Sequence, residues 1–139
     1  MTSFWLQFEK LREDIKTDAT FCEEQLHEEL TSNQTQLELK YSAPVEYATA
    51  SLRTAEHQLA VAKARIHLQA RNGTKPKPSL DDTKAVVLAD EEVIKATRKV
   101  IRLKKLLGRY QRFYAIIQRR GDLLRTYSSL RKVEISKTV

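Results

Sequence analysis

Cysteine occurs once in this sequence, at Cys22, so neither an internal disulfide framework nor a Cys-rich metal site can form within the chain. A lone thiol of this kind is expected to behave as a small buried apolar side chain. Glycine and proline, the residues that interrupt helices, number only three each. Strand-type alternation is absent as well, which predicts an all-α protein. No apolar run approaches the roughly 18 residues of a membrane span, and the N-terminus lacks the basic-then-apolar pattern of a signal peptide. The expected location is therefore cytoplasmic, with no membrane partner. No phosphate-cradling Gly loop, no His pair at metal spacing and no nucleophile motif is present; His27, His57 and His67 stand far apart. No catalysis, cofactor or metal is expected. Glu23, Glu24, Glu28 and Glu29 are expected on a solvated face rather than around a divalent ion, since nothing fixes a convergent geometry. Acid itself is missing from one long stretch: between Lys95 and Lys132 the sole carboxylate is Asp122.

That stretch organises the chain. Read in sevens, Val86, Val93, Val100, Leu107 and Tyr114 fall on one line, and Ala89, Ala96, Leu103, Tyr110, Ile117 and Leu124 on a second. Apolar residues recurring at three- and four-residue steps predict one helix over residues 84–132, which would reach roughly 70 Å if unbroken. Gly108 and Gly121 are where it is expected to bend, each weakening the helix by about 1 kcal/mol relative to Ala. Its other side carries Lys95, Arg98, Arg102, Lys105, Arg109, Arg112, Arg119, Arg120 and further cations. A helix apolar along one side and positive along the other needs one apolar and one anionic partner.

Upstream, Phe4, Trp5, Phe8, Leu11 and Ile15 form a short amphipathic helix. Asp18 or Thr20 can cap a second, from Phe21 to about Tyr41, with Thr31-Ser32-Asn33 as a possible interruption. Pro44 is placed to start a third. There the heptad is strict: Val45, Ala48, Leu52, Ala55, Leu59, Ala62 and Ile66, with small Ala alternating with larger residues to admit a facing helix closely. Asn72-Gly73 is expected to end it in a left-handed turn. Residues 73–83, with Pro76 and Pro78, form a linker, and Asp81, Asp82 or Thr83 is expected to cap the long helix. The tail from Glu134 is expected to fray. The resulting fold is a single domain over residues 1–139: short N-terminal helices (1–72 includes the central one), the 73–83 linker, and a long antiparallel helical hairpin completed by 84–132. Two such stripes exceed what one hairpin can bury. Self-association through Val86, Val93, Val100, Leu107, Tyr110, Tyr114 and Ile117 on the C-terminal helix is therefore expected.

The net charge of +7 hides an asymmetry. Residues 1–60 hold five Lys/Arg against eleven Asp/Glu, and residues 61–139 hold twenty against seven. Such polarity points the basic half at nucleic acid or another anionic surface, while the acidic half either repels that ligand or holds the basic half of a second copy. Nucleic-acid affinity arises mostly from Lys/Arg neutralising phosphates and needs no fixed motif. The candidate contacts are Lys63, Arg65, Arg71, Arg98, Arg102, Lys105, Arg109 and Arg112. Arg109-Tyr110-Gln111-Arg112-Phe113-Tyr114 combines cations with flat rings, as single-strand binding requires. Tyr110 and Tyr114, however, lie on the apolar lines and are expected in the core. Lys63 and Arg65 flank the heptad seam on opposite sides, which fits either salt bridges between helices or a paired phosphate contact. A structural or scaffolding coiled-coil protein without a nucleic-acid role is the alternative to a binding function.

Several strings resemble the UvsY family of recombination mediators from T-even-type bacteriophages. Lys63-Ala64-Arg65-Ile66 followed by Gly73 is similar to that family's Lys-Ala-Arg-Leu ahead of a Gly-containing turn. Lys84-Ala-Val-Val-Leu-Ala-Asp90 with Val93-Ile94-Lys95 resembles the start of its C-terminal helix. Ile117-Gln-Arg-Arg120-Gly121 resembles a later Ile-x-x-Arg-Gly stretch, and Lys40-Tyr41-Ser42 a Tyr-Ser step. The resemblance implies a non-enzymatic protein of DNA recombination and repair, forming ring-like homo-oligomers in the host cytoplasm. It implies single-stranded DNA as ligand, and a RecA-like recombinase and a single-strand-binding protein as partners. Lys63 and Arg65 would be DNA contacts, and the C-terminal helix the assembly element. The family's paired aromatics after Lys-Ala-Arg-Leu are absent; His67, Leu68 and Gln69 stand there instead.

Overall fold

The structure is a computed structural model that describes residues 2–73 and 78–138. The fold is all-α: α1 (Thr2–Asp18), a 3₁₀ turn (Glu23–Gln25), α2 (Leu26–Glu28), a π-helical turn (Glu29–Asn33), α3 (Gln34–Asn72), α4 (Leu80–Ala89) and α5 (Glu91–Thr138). The chain divides into two compact units. A central unit spans Tyr47–Leu107, and a terminal unit joins Met1–Glu46 to Gly108–Val139. The side chains of Phe4 and Trp5, and residues 74–77 of the linker, lie outside the described part.

In the central unit the strict heptad of α3 does what its spacing predicts. Ala48, Ala55 and Ala62, seven apart, are buried. Ala55 packs with Val100 and Leu103, flanked by Leu52 and Leu59. Ala62 packs with Val87 and Val93, flanked by Leu59 and Ile66. Falling numbers on α3 against rising numbers on α5 make the pair antiparallel. Methyl-sized knobs let the helices approach, and each enclosed Val or Leu contributes about 1.5–3 kcal/mol.

The expected 84–132 helix is two helices, α4 and α5, and it breaks at Asp90 rather than at either glycine. Asp90 is extended (φ −67°, ψ 132°). Its carboxylate accepts from the N–H groups of Glu92 (2.9 Å) and Val93 (3.3 Å), satisfying donors that α5 leaves open. Glu91 and Glu92 follow in the first turn, where the helix dipole favours acids. The break rotates the apolar line. Val87 is buried in place of Val86, which is 49% exposed. The cap of α4 is Ser79, not Asp81, Asp82 or Thr83: its hydroxyl accepts from the Asp82 N–H at 3.1 Å. Thr83 is fully buried, and its hydroxyl donates back to the Ser79 carbonyl. Gly73 closes α3 without a left-handed turn. It is small because a Cβ there would stand 2.9 Å from the Gln69 carbonyl oxygen.

In the terminal unit α3 begins at Gln34 and runs through Pro44, which therefore does not start a helix. Proline has no N–H for the Lys40 carbonyl, a defect of about 3 kcal/mol in an isolated helix. Buried Tyr41 and Ala48 on either side tie the backbone down across it. The interruption expected at Thr31-Ser32-Asn33 takes the form of the π turn, which inserts an extra residue and re-aims the side chains around it. Phe8 of α1 stacks on Phe113 (5.5 Å between centroids) and meets Tyr110 edge-on at 6.2 Å; Tyr41 meets Phe113 edge-on at 6.5 Å. Such pairs contribute about 0.5–1.5 kcal/mol each beyond their buried area.

Four sequence-based expectations fail here. Cys22 is exposed, because it precedes the 3₁₀ turn rather than sitting on a helix face. Neither Asp18 nor Thr20 caps a helix: the Thr20 hydroxyl donates to the Thr17 carbonyl, and Asp18 binds Lys40 and Tyr41. The tail from Glu134 is helical, since α5 continues to Thr138. Glu29 and Arg120 are not on solvated faces; they form a buried ion pair, at 7% and 4% exposure. The Arg120 guanidinium also donates to the Thr20 carbonyl (3.1 Å) and to Gln34 Oε1 (2.7 Å). Gln34 Nε2 donates in turn to the Ile117 carbonyl at 2.8 Å, and Asn33 Nδ2 to Glu29 Oε1 at 2.8 Å. Gly121 lies beneath this network, and a Cβ there would stand 2.8 Å from Gln34 Nε2, so a larger residue would displace that side chain from its hydrogen bonds.

A second polar cluster in this unit sets its response to alkali. Asp18 accepts from Lys40 Nζ (2.7 Å) and the Tyr41 hydroxyl (2.8 Å), and Asp14 lies 2.9 Å from Lys40. Burial alone would lower the Lys40 pKa, but hydrogen bonds and charge from Asp18 and Asp14 together raise it. Burial, then the bond to Asp18, pushes the Tyr41 phenol well above its usual value, and burial raises Tyr110 as well. A raised folded-state pKa gives stability that is complete below the unfolded value and lost as pH climbs through the folded one. Those unfolded values are 10.0 for Tyr41 and 10.5 for Lys40. The urea midpoint should therefore fall once pH passes about 10. In Tyr41→Phe the fall should be shallower, because that proton release is gone. Equal slopes in both proteins would disprove the assignment.

Candidate nucleic-acid interface

Charge is partitioned by unit. Tyr47–Leu107 holds thirteen Lys/Arg against six Asp/Glu, so the central unit carries the whole net charge of +7. The terminal unit holds twelve of each and is neutral. The acidic first third thus meets basic residues of its own chain, as in the Glu29–Arg120 pair.

Within the central unit, Arg98, Arg102 and Lys105 are all exposed on α5, at steps of four and three that place them on one face. Lys63 and Arg65 of α3 have different surroundings. Two residues apart on a helix they project some 200° from one another. Arg65 reaches α5 and forms an exposed ion pair with Glu92, whereas Lys63 lines a groove with Ala64, His67, Lys84, Val87 and Leu88. Arg71 is half-buried, and its Nη1 is enclosed without a hydrogen-bond partner. In the terminal unit Arg112 is exposed, and the Arg109 guanidinium lies 5.3 Å from the Phe8 ring centroid. Arg120 leaves the basic series altogether. Sequence reasoning missed Lys84 and His67 as neighbours of Lys63. The signal was present in Ser79 and Asp90, two caps that cut α4 out as a separate short helix against α3.

Of the apolar line expected to be left for a second copy, Val93, Val100, Tyr110 and Ile117 are enclosed inside the chain, which corrects the assignment for those four. Val93 and Val100 are buried in the central unit, Tyr110 and Ile117 in the terminal unit; Leu107 and Tyr114 are half-buried, and Val86 alone of the seven is exposed. Phe8 of α1 and Val87 of α4 supply the cover that a bare two-helix hairpin lacks. Other apolar side chains remain outside. On the later part of α5, Ile116, Leu123 and Leu130 recur at seven-residue steps beside Tyr127, all exposed by 42% or more.

Among the described residues no helix is long and apolar enough to cross a membrane, and no group of His, Cys, Asp or Glu could hold a metal ion. Fold and charge define the class: an all-α protein whose net positive charge is confined to one of its two units. Compared with protein families, curated proteins and solved structures, the chain matches none of them.

Proposed function

We propose that this protein is a non-enzymatic recombination mediator, of the UvsY type that its local strings resemble. It binds single-stranded DNA and promotes loading of a RecA-like recombinase in place of single-strand-binding protein, in the cytoplasm of an infected bacterial cell. The observation that carries the reading is the charge partition: an excess of seven positive charges within Tyr47–Leu107, with Arg98, Arg102 and Lys105 exposed along one face. A face of that kind recognises phosphates without reading bases, as a mediator that must accept any sequence requires. Assembly into a homo-oligomer is assigned to the exposed row Ile116, Leu123, Tyr127 and Leu130, since exposed apolar rows mark contact surfaces. Repeating a weak site around a ring raises avidity by about 10² to 10⁴ over one copy.

The test is a filter-binding titration of the whole protein with single-stranded, double-stranded and RNA oligonucleotides at two salt concentrations, with mass in solution measured alongside. Binding that weakens steeply with salt, prefers single strands and accompanies an oligomer supports the mediator. Failure to bind any strand at low salt would reject it and leave the structural coiled-coil reading.

A further inference from the structure

We propose that the groove between α3 and α4 is a nucleobase subsite, taking one unstacked base of a single-stranded polynucleotide while Lys63 and Lys84 hold the phosphates on either side. The inference rests on the DNA-binding reading and adds to it a place where the strand is held by more than charge.

The groove lies wholly in the central unit. Its volume of about 410 Å³ is that of a small-molecule site, where roughly 300–1,000 Å³ is usual. Its lining divides by chemistry. Ala64, Val87 and Leu88 are apolar, and His67 adds a flat ring; Lys63 from α3 and Lys84 from α4 add one ammonium from each helix. A base has two apolar faces and is tethered at its edge to anionic phosphates. An apolar slot with cations from two helices matches that pattern, and stacking on a flat ring works for every base. Among the described residues neither Lys63 nor Lys84 makes an ion pair, unlike Arg65, which Glu92 engages. Leu88 is 65% exposed at the rim although it is large and apolar.

The geometry also separates the two cations of Lys-Ala-Arg. Lys63 faces the groove and Arg65 faces α5, so only Lys63 belongs to this subsite.

The experiment compares a pyrimidine homopolymer with an abasic strand of the same length, on the wild-type protein, His67→Ala/Leu88→Ser and Lys84→Ala. Leu88 is exposed and His67 half-buried, and neither belongs to the buried cluster of Ala62, Val87 and Val93. The double variant should bind the base-bearing strand about tenfold more weakly, the lower part of the range for one stacked base, and the abasic strand as the wild type does. Its salt dependence should be unchanged. Lys84→Ala should weaken both strands and flatten the logarithmic salt slope by about 0.7, the share of one phosphate. Circular dichroism of each variant checks that it is folded. If the folded double variant discriminates base-bearing from abasic DNA as the wild type does, no base enters the groove and the subsite is refuted while DNA binding stands. If it changes mass in solution but not strand binding, the groove belongs to a second copy, and the subsite is again refuted. Wild-type protein that ignores both strands defeats the underlying DNA reading instead.

Discussion

Arg120→Met should destabilise the protein by about 3–5 kcal/mol, the usual penalty for removing one partner of a buried ion pair. Arg120 is 4% exposed, and its guanidinium serves the Glu29 carboxylate, the Gln34 side chain and the Thr20 carbonyl. Methionine fills the space but donates nothing, so the enclosed Glu29 carboxylate would keep only its Asn33 hydrogen bond and the buried Gln34 Oε1 would lose its donor. For a protein whose whole stability is on the order of 5–15 kcal/mol, that loss removes about a fifth of it or more. Urea unfolding followed by circular dichroism measures it. The companion variant Glu29→Met/Arg120→Met makes the cause visible. Replacing both members of a buried pair by apolar groups is often neutral or better, so the double variant should recover most of the loss. A double variant as unstable as the single one would mean that the pair is not the source. A single variant that melts with the wild type would mean that Arg120 is not enclosed at all.

Why this pair was illegible in the sequence is instructive beside what was legible. The α3 seam could be read directly, because Ala48, Ala55 and Ala62 alternate with larger residues at a spacing that only a helix packed on a helix explains. Burial there follows from local periodicity. Arg120 stands among Arg112, Arg119 and Arg125, and nothing in its neighbourhood distinguishes it. Its partner is 91 residues away, and Glu29 points inward because a π turn shifts the phase of the helix at that place. The break at Asp90 was hidden for a different reason. Heptad lines can be drawn straight through it, from Val86 to Val93 to Val100, and a continuous pattern outweighed the local sign of an Asp followed by two Glu. Once α4 is a separate helix, Val87 rather than Val86 faces inward, and Lys84 comes to the groove that Lys63 lines. The candidate interface was therefore legible as a set of cations but not as a place. Charge counted over halves of the chain blurred it, since the acidic first third meets the later part of α5 and leaves the excess in Tyr47–Leu107.

That partition makes a sharp prediction about which cations matter. Arg98, Arg102 and Lys105 are exposed in the unit that carries the excess, and replacing all three with Ala should weaken binding to single-stranded DNA by about 10²-fold near 0.1 M salt. The figure follows from counterion release: each phosphate contact on a single strand contributes about 0.7 to the logarithmic salt slope, so three contacts contribute about 2. The slope should flatten by the same amount. Folding should be untouched, because none of the three is buried. Arg109→Ala/Arg112→Ala lies in the neutral unit, where twelve acids offset the cations, and Arg109 is drawn toward the Phe8 ring. That pair should weaken binding by less than about tenfold, since fewer counterions are released from a surface with no net excess. Titrations of the three proteins at several salt concentrations measure both affinity and slope. If the pair in the neutral unit matters as much as the triple, the strand follows α5 as a whole rather than the charge of the central unit. If neither matters, the phosphates are held elsewhere, and the excess charge in Tyr47–Leu107 serves something other than DNA.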